Sequence, residues 1–545
     1  MKKVFAMALV VCMSFLMYGC SEKVDLTSEE TPVTDQVAVE ASETTEALKV
    51  AGTESVDNEK PVIRLQGSDT GLPNPFRHHT RGPGMSKMQL LYDSLLEIDE
   101  KGYIPWLAKS YEVNEDGTVY SFNLVENAFW HDGTPLTVAD VIFTMDYYRV
   151  HPPVTDNLTV DGEFLIKSVE KTGDWSFDIE VNHADNTYLS RLGGVRILPK
   201  HIWAKVEDPI AYEGDGAVVG SGPFKMTHYD SVKGEYRYEA TQDYWGLEPA
   251  VAAIEWVPVS DAVMAFENGE IDLVNMAPDL LERYRSDDTY LVRELPSYHS
   301  YRLMMNMESS EALKDKTVRK AMAYGINRQA LVDKIARGAA DVSSMGYVPS
   351  TSKWYNPAIE SYDYDLEKAK TFLNGRSYSF KLLTGNTPSE IKLAELIQLD
   401  LEQIGIAIEI ESVESKTRDQ AVKSGQYQLL LINSGGMGGD PDYLRSIYGN
   451  STANTAALSA ATLKGYYNEQ VTALSKEQAS VMDEAVRETI IDEMQVLIAE
   501  DVPMLMLYTN HDNFVYRPAH YDGWFARMDH SKLDHNKLSY VTRNE

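Results

Sequence analysis

The sequence predicts an α/β protein built from several folding units, and three observations carry that expectation. Tyr378, Phe380 and Leu382 alternate with polar residues as a strand does. Pro388 then opens a helix with Ile397, Leu401 and Ile404 on one face, Gly405 stops it, and Ile406, Ile408 and Ile410 alternate again, which is a β-α-β unit. Nearer the start, Tyr120, Phe122 and Leu124 alternate between two Asp-Gly turns, Asp116-Gly117 and Asp132-Gly133, and Trp175 to Val181 repeats the strand period. Finally, Asp315 to Gly338 reads as a helix pair, with Val318 and Met322 on one face and Leu331, Val332 and Ile335 on the next. At 545 residues the chain exceeds one core, and length alone suggests about three folding units.

Composition sets the address. Residues 1–19 read as a targeting segment, with Lys2 and Lys3 ahead of an apolar run, Val4 to Tyr18, too short for a bilayer span. Met17-Tyr18-Gly19-Cys20 resembles a lipoprotein processing box, with methionine where leucine is usual. The only other cysteine, Cys12, lies in the segment that would be removed, so an intramolecular disulfide and a cysteine metal cluster are excluded and Cys20 is the expected lipidation site. Two or more acyl chains anchor stably where one binds marginally. Residues 20–60 read as an acidic, disordered tether, with 11 acidic and 3 basic residues in 21–60. Without the segment's +2 and the tether's −8, the chain's −33 leaves −27 for the folded body, a balance that excludes a nucleic-acid partner.

In the body, Val62 to Gln66 is a strand that runs into the loop Gly71 to Met85. Loops leaving a strand's carboxyl end are where open α/β sheets place ligands. His78, His79 and Arg81 are therefore candidates: Arg81 for an anion or carboxylate, and His78 or His79 for a metal chelate, against the plain alternative of a solvated turn. Thr137, three residues before Asp140, caps a helix whose inner face is Val141, Met145 and Tyr148. His131, His151 and His183 read as scaffold or surface residues, and His520, His530 and His535 have no ligand spacing. A helix over Glu484–Glu500 and a strand over Val502–Leu507 follow late in the chain. The sequence has no G-x-S-x-G elbow, no H-E-x-x-H and no GK[ST] phosphate loop, so neither catalysis nor nucleotide binding is expected, and no cofactor.

The ordered landmarks Pro105-Trp106-Leu107-Ala108, Glu115-Asp116-Gly117, Trp130-His131-Asp132-Gly133, Ala139-Asp140-Val141, Gly220-Ser221-Gly222-Pro223-Phe224, Asp243-Tyr244-Trp245-Gly246 and Asn268-Gly269-Glu270-Ile271-Asp272 resemble the peptide/nickel family, family 5, of ABC-transporter solute-binding proteins. The resemblance spans nearly all of Val62–Arg517 and implies a large type II periplasmic-binding-protein-like fold of two lobes. The implied division is 61–90, 215–302 and 508–545 in lobe I, 91–214 as its extra subdomain, and 303–507 in lobe II. It also implies a monomer, anchored by its lipid to the outer face of the cell membrane, that captures peptide-like solutes between the lobes for ABC permease and ATPase subunits. A nickel or other metal chelate is the alternative ligand; a surface receptor, a sensor or a hydrolase is the alternative of another class. Tyr301–Asn306 resembles the strand crossing between lobes, which makes Arg302 and Asn306 candidates beside the loop Asn433–Tyr443. In that loop Ser434, Gly435, Gly436, Met437 and Asp440 stand where the family faces its ligand. Peptide binders often carry tryptophan and an amine-pairing aspartate where this chain has Ser434 and Met437.

Overall fold

The structure is a computed structural model that describes residues 60–79, 82–435, 438–449, 463–526 and 533–543; the leader, the tether and Cys20 lie outside them. In chain order the first sheet is laid down by β1 (Val62–Gly67) and, much later, β6 (Phe224–Asp230), β7 (Glu235–Ala240) and β8 (Ala253–Pro258), in the order β1-β8-β7-β6. β1 pairs parallel with β8, Val62 opposite Ala253. Between these elements the chain forms helix α1 (Gly82–Leu91) and a second sheet, β2 (Ala108–Val113), β3 (Val119–Leu124), β4 (Ile166–Lys171) and β5 (Ser176–Val181), ordered β2-β3-β5-β4 and antiparallel throughout. Helix α2 (Val138–Val150) starts where Thr137 and Asp140 place it. The Asp140 carboxylate accepts from Thr137 N at 2.8 Å and Thr137 Oγ1 at 2.9 Å.

The third sheet joins β9 (Leu273–Asn275), β10 (Leu291–Met305), β11 (Ala340–Val342), β12 (Tyr378–Gly385), β13 (Ile406–Val413), β14 (Leu429–Ser434) and β15 (Met504–Tyr516). Its order is β9-β15-β10-β14-β12-β13, with β11 on β15. The β-α-β unit is as the period suggests: Thr387 caps the helix Pro388–Glu402, Gly405 turns at φ +88°, and β12 and β13 pair in parallel. The 15-residue β10 and 13-residue β15 run antiparallel, from Leu291 opposite Tyr516 to Met304 opposite Met504. Leu295 of β10 and Phe514 and Tyr516 of β15 pack on one large core, which also holds Ile63, Phe122, Leu192 and Tyr238. Leu303 and Leu505–Tyr508 belong to a different one, with Met322, Leu382, Leu431 and Ile491. Two lobes with separate cores therefore share one pair of strands.

That pairing corrects the expected limits of two strands. The last long strand begins at Met504, because Val502 (φ +45°) ends the preceding helix Glu484–Asp501, and it continues to Tyr516 instead of ending at Leu507. β10 likewise begins at Leu291, ten residues before the expected crossing segment. Each supplies the other's hydrogen bonds outside its own lobe.

Three of the landmarks, those containing Trp106, Ser221 and Tyr244-Trp245, meet on Asp93, which is fully buried. Its Oδ1 accepts from Trp106 Nε1 (2.9 Å), Tyr244 Oη (3.1 Å) and Lys537 Nζ (2.5 Å), and its Oδ2 from Ser221 Oγ (3.0 Å) and Trp245 Nε1 (3.1 Å). Lys537 also reaches Glu97 at 2.9 Å, as does Arg196 at 2.7 Å. Burial alone would raise the Glu97 carboxyl, but the charges of Arg196 and Lys537 bring it down to about 2. Gly220 and Gly222 are required because a Cβ there would lie 1.9 Å from Leu91 O and 2.4 Å from Leu90 O. Half-buried His131 fixes the same turn, accepting from Gly220 N on Nδ1 (3.2 Å) and bonding Gly222 O through Nε2 (3.0 Å), so it is scaffold.

Replacing Lys537 by methionine strips Asp93 and Glu97 of a buried counter-charge. The expected cost is about 3–5 kcal/mol of stability in denaturant titration. The exposed pair Lys60–Glu248, broken by Lys60→Ala, should cost no more than about 1 kcal/mol.

Candidate functional site

Two places were singled out by sequence: the loop after β1 and the exit of β14. The first is tightly built. Gly71 turns at φ +82°, its carbonyl accepts from Tyr236 Oη at 2.9 Å, and His79 N closes back on Thr70 O at 2.7 Å. Beneath it lies Lys87 of α1, 2% exposed, donating to Thr70 Oγ1 at 3.0 Å with its ammonium 4.5 Å from the Tyr236 ring centre. Burial pushes the Lys87 ammonium down to about 8, with Asp69 opposing the shift. His78 is buried, its Nδ1 bonded to the His79 carbonyl at 2.9 Å and its Nε2 without a partner. Burial lowers its pKa, which favours the neutral ring. His79 is exposed, and Arg81 lies outside the described residues. No group of three or more metal-ligating side chains occurs among the described residues.

At the exit of β14 the structure brings Arg302, Ser434 and Gly435 together. Arg302 is fully buried; its Nη2 donates to Ser434 O at 2.5 Å and Gly435 O at 2.7 Å, and its Nη1 to the Tyr347 hydroxyl. Tyr347 holds φ +66°, a strained conformation for a bulky residue, and its own carbonyl is bonded by Tyr443 Oη at 3.0 Å. Arg302 thus shapes the loop from inside the lobe. Gly436 and Met437 lie outside the described residues.

Two candidates take other roles. The Asn306 amide nitrogen is spent on Gly425 O (2.8 Å) and Tyr427 O (2.9 Å), and its oxygen on Glu308 N (3.0 Å). It closes the end of β10, with both amide hydrogens used and one acceptor position left on its oxygen. Both Asp440 oxygens are gripped by Arg487 Nη1 and Nη2 at 2.7 Å. Burial would raise this carboxyl, but the hydrogen bonds and charge of Arg487 outweigh it and hold it below its ordinary value. Asp440 is therefore a structural ion-pair partner of the helix Glu484–Asp501. Neither Lys87, Tyr347 nor Arg487 was legible as part of this frame, since their partners sit far off in sequence.

Two lobes with their own cores, joined by one pair of long strands, make a two-lobed α/β protein. Residues 102–456 match the family model described as bacterial extracellular solute-binding proteins, family 5 Middle, and the chain belongs to that family. Its members are the solute-binding subunits that work with ABC permease and ATPase subunits and are not enzymes. The chain is 27% identical to the dipeptide-binding protein of Escherichia coli over 430 residues, 73% of this chain and 79% of that one. The structure of the ABC transporter substrate-binding protein CtaP from Listeria monocytogenes superposes with TM-score 0.76 at 22% identity, covering 89% of this chain and 99% of that one. NikZ from Campylobacter jejuni, solved with Ni(L-His), gives TM-score 0.72 at 20% identity, with 89% and 100% covered. No helix among the described residues is long and apolar enough to cross a membrane.

Asp440→Ala should cost about 2 kcal/mol, less than a fully buried pair, because the Asp440 side chain is 47% exposed. Any loss of solute affinity should accompany a lowered Tm; lost affinity at unchanged Tm would put Asp440 in direct contact with solute.

Proposed function

We propose that this chain captures peptide-like solutes between its lobes and delivers them to an ABC permease, held to the membrane as a monomer by acyl chains on Cys20. The observation that carries the reading is the continuous β10–β15 pair, which belongs to two separate cores and so provides a hinge with a cleft beside it. A solute touching both lobes has higher affinity for the closed state, and that difference drives closure. The peptide class rests on the dipeptide-binding relative and on the make-up of the β14 exit, where Ser434 and the glycines offer backbone in place of bulky side chains. His78, His79, Arg81, Arg302, Ser434, Gly435, Gly436 and Met437 remain the proposed surroundings of the solute, with Arg302 acting through the Ser434 and Gly435 carbonyls. With Met437 where peptide binders often place an aspartate, the peptide's amine is met by another group.

A nickel-type chelate is the second reading. It is favoured by the unpartnered Nε2 of His78 beside exposed His79, and by the fold shared with NikZ. Native mass spectrometry of the full protein, gently extracted from its own cells, separates the two. A retained mass that fragments into amino acids is expected. A nickel isotope pattern would move His78 and His79 to the centre, and a sugar or nucleoside would contradict both readings. The same spectrum should show a chain that begins at Cys20 with added acyl mass; an unmodified Met1 terminus would contradict the anchor.

A further inference from the structure

The extra subdomain meets the second lobe through a buried cluster of charged side chains. Asp185, just beyond β5, is 2% exposed; its Oδ1 is held by Thr187 N (2.9 Å) and Thr187 Oγ1 (2.6 Å), and its Oδ2 accepts from Arg445 Nη1 at 2.9 Å, 260 residues away. Arg445, 6% exposed, also donates to Asp442 through Nη2 (2.9 Å), while its Nε lies 2.8 Å from the same carboxylate as an ion-pair contact without hydrogen-bond geometry. Arg191 of the subdomain approaches the same Asp442 carboxylate at 3.9 Å. Behind them, fully buried Gln478 donates to Asp442 at 2.7 Å and accepts from Arg487 Nε at 3.0 Å. Next to the charges, Asn186 N donates to Ala479 O at 2.7 Å, and its side-chain amide to Val481 O at 3.0 Å and to Gln478 O.

Three carboxylates (Asp185, Asp440, Asp442) face three guanidiniums (Arg191, Arg445, Arg487), and each is matched within the protein. Breaking a buried charged contact is costly when it leaves either partner desolvated and unpaired. Here separation would strip Arg445 of Asp185 and return three backbone carbonyls, those of Gln478, Ala479 and Val481, to water. Neither loss depends on what lies in the cleft.

We propose that Asp185 and Asn186 form a ligand-independent latch on Arg445 and the 478–481 turn, which holds the lobes closed in the absence of solute. The latch rests on the two-lobe reading but not on the identity of the solute. It sets the fraction of binding-competent closed protein before solute arrives, and apparent affinity scales with that fraction. Two buried hydrogen-bonded contacts of about 1 kcal/mol each should shift the closed-to-open ratio by tenfold or more.

The test measures a distance in solute-free full-length protein carrying Cys12→Ser and Cys20→Ser, with nitroxides on Lys171→Cys in the subdomain and Glu488→Cys in the second lobe, both exposed. Without further change a single short distance is expected. Asp185→Asn with Asn186→Ala should add a population longer by more than about 2 Å, while circular dichroism stays unchanged. Should the double variant fail to fold, Asn186→Ala alone, which removes only a neutral amide, carries the same expectation. Identical distributions in parent and folded variant overturn the latch, as does a parent already at the longer distance.

Discussion

The constraint on which the molecule depends is that β10 and β15 belong to both lobes at once. Their pairing supplies backbone hydrogen bonds to Leu291–Pro296 on the first-lobe side and to Ser300–Met304 on the second. The register shifts between Pro296 and Ser300 and between Tyr301 and Arg302. A shifted register leaves residues out of the ladder, and such breaks are where a continuous strand bends most easily. The proposed cleft lies beside this break, since the residues on either side of it pack on different cores. Arg302, the first residue past it, is also the residue that binds the carbonyls at the exit of β14. The register break and the loop after β14 are thus one hydrogen bond apart.

A second constraint sits in the first lobe. Asp93 accepts five hydrogen bonds from segments near positions 106, 221, 244, 245 and 537. A carboxylate with no exposure is tolerable only when both its oxygens are satisfied and its charge is met. Each of those residues is therefore fixed by the others, which gives the landmark motifs a physical reason. Trp106 and Trp245 are there for their indole N–H, Ser221 for its hydroxyl, and the glycines on either side of Ser221 for the room they leave against Leu90 and Leu91. Near the end of the chain Phe525, Leu538 and Val541 pack with Trp106.

What could be read from sequence was local in origin. The alternation of Tyr378 and Phe380, the cap at Thr137, the stop at Gly405 and the two Asp-Gly turns each depend on a few neighbouring residues, and the structure has them in place. The fold class and the family followed from their order. The site was far less legible. Asp440 is paired with Arg487, 47 residues away on another helix, and no local motif announces that pair. Asn306 bonds Gly425 and Tyr427, 119 and 121 residues further on, which strand membership alone does not reveal. Arg302 looked like a contact residue, yet it is buried and serves backbone carbonyls. Long-range pairs such as these leave no periodicity and no motif in the sequence.

The central claim is that solute is held between the lobes, beside the break in β10 and the exit of β14. A crystal structure of the protein with the solute it carries from its cells tests that claim most directly. The account predicts density bounded by the loop after β1 on one side and by the Ser434–Gly435 backbone on the other. Density confined to the surface pocket of about 580 Å³ lined by Ile202, Lys205, Val206 and Tyr212 in the first lobe would contradict it.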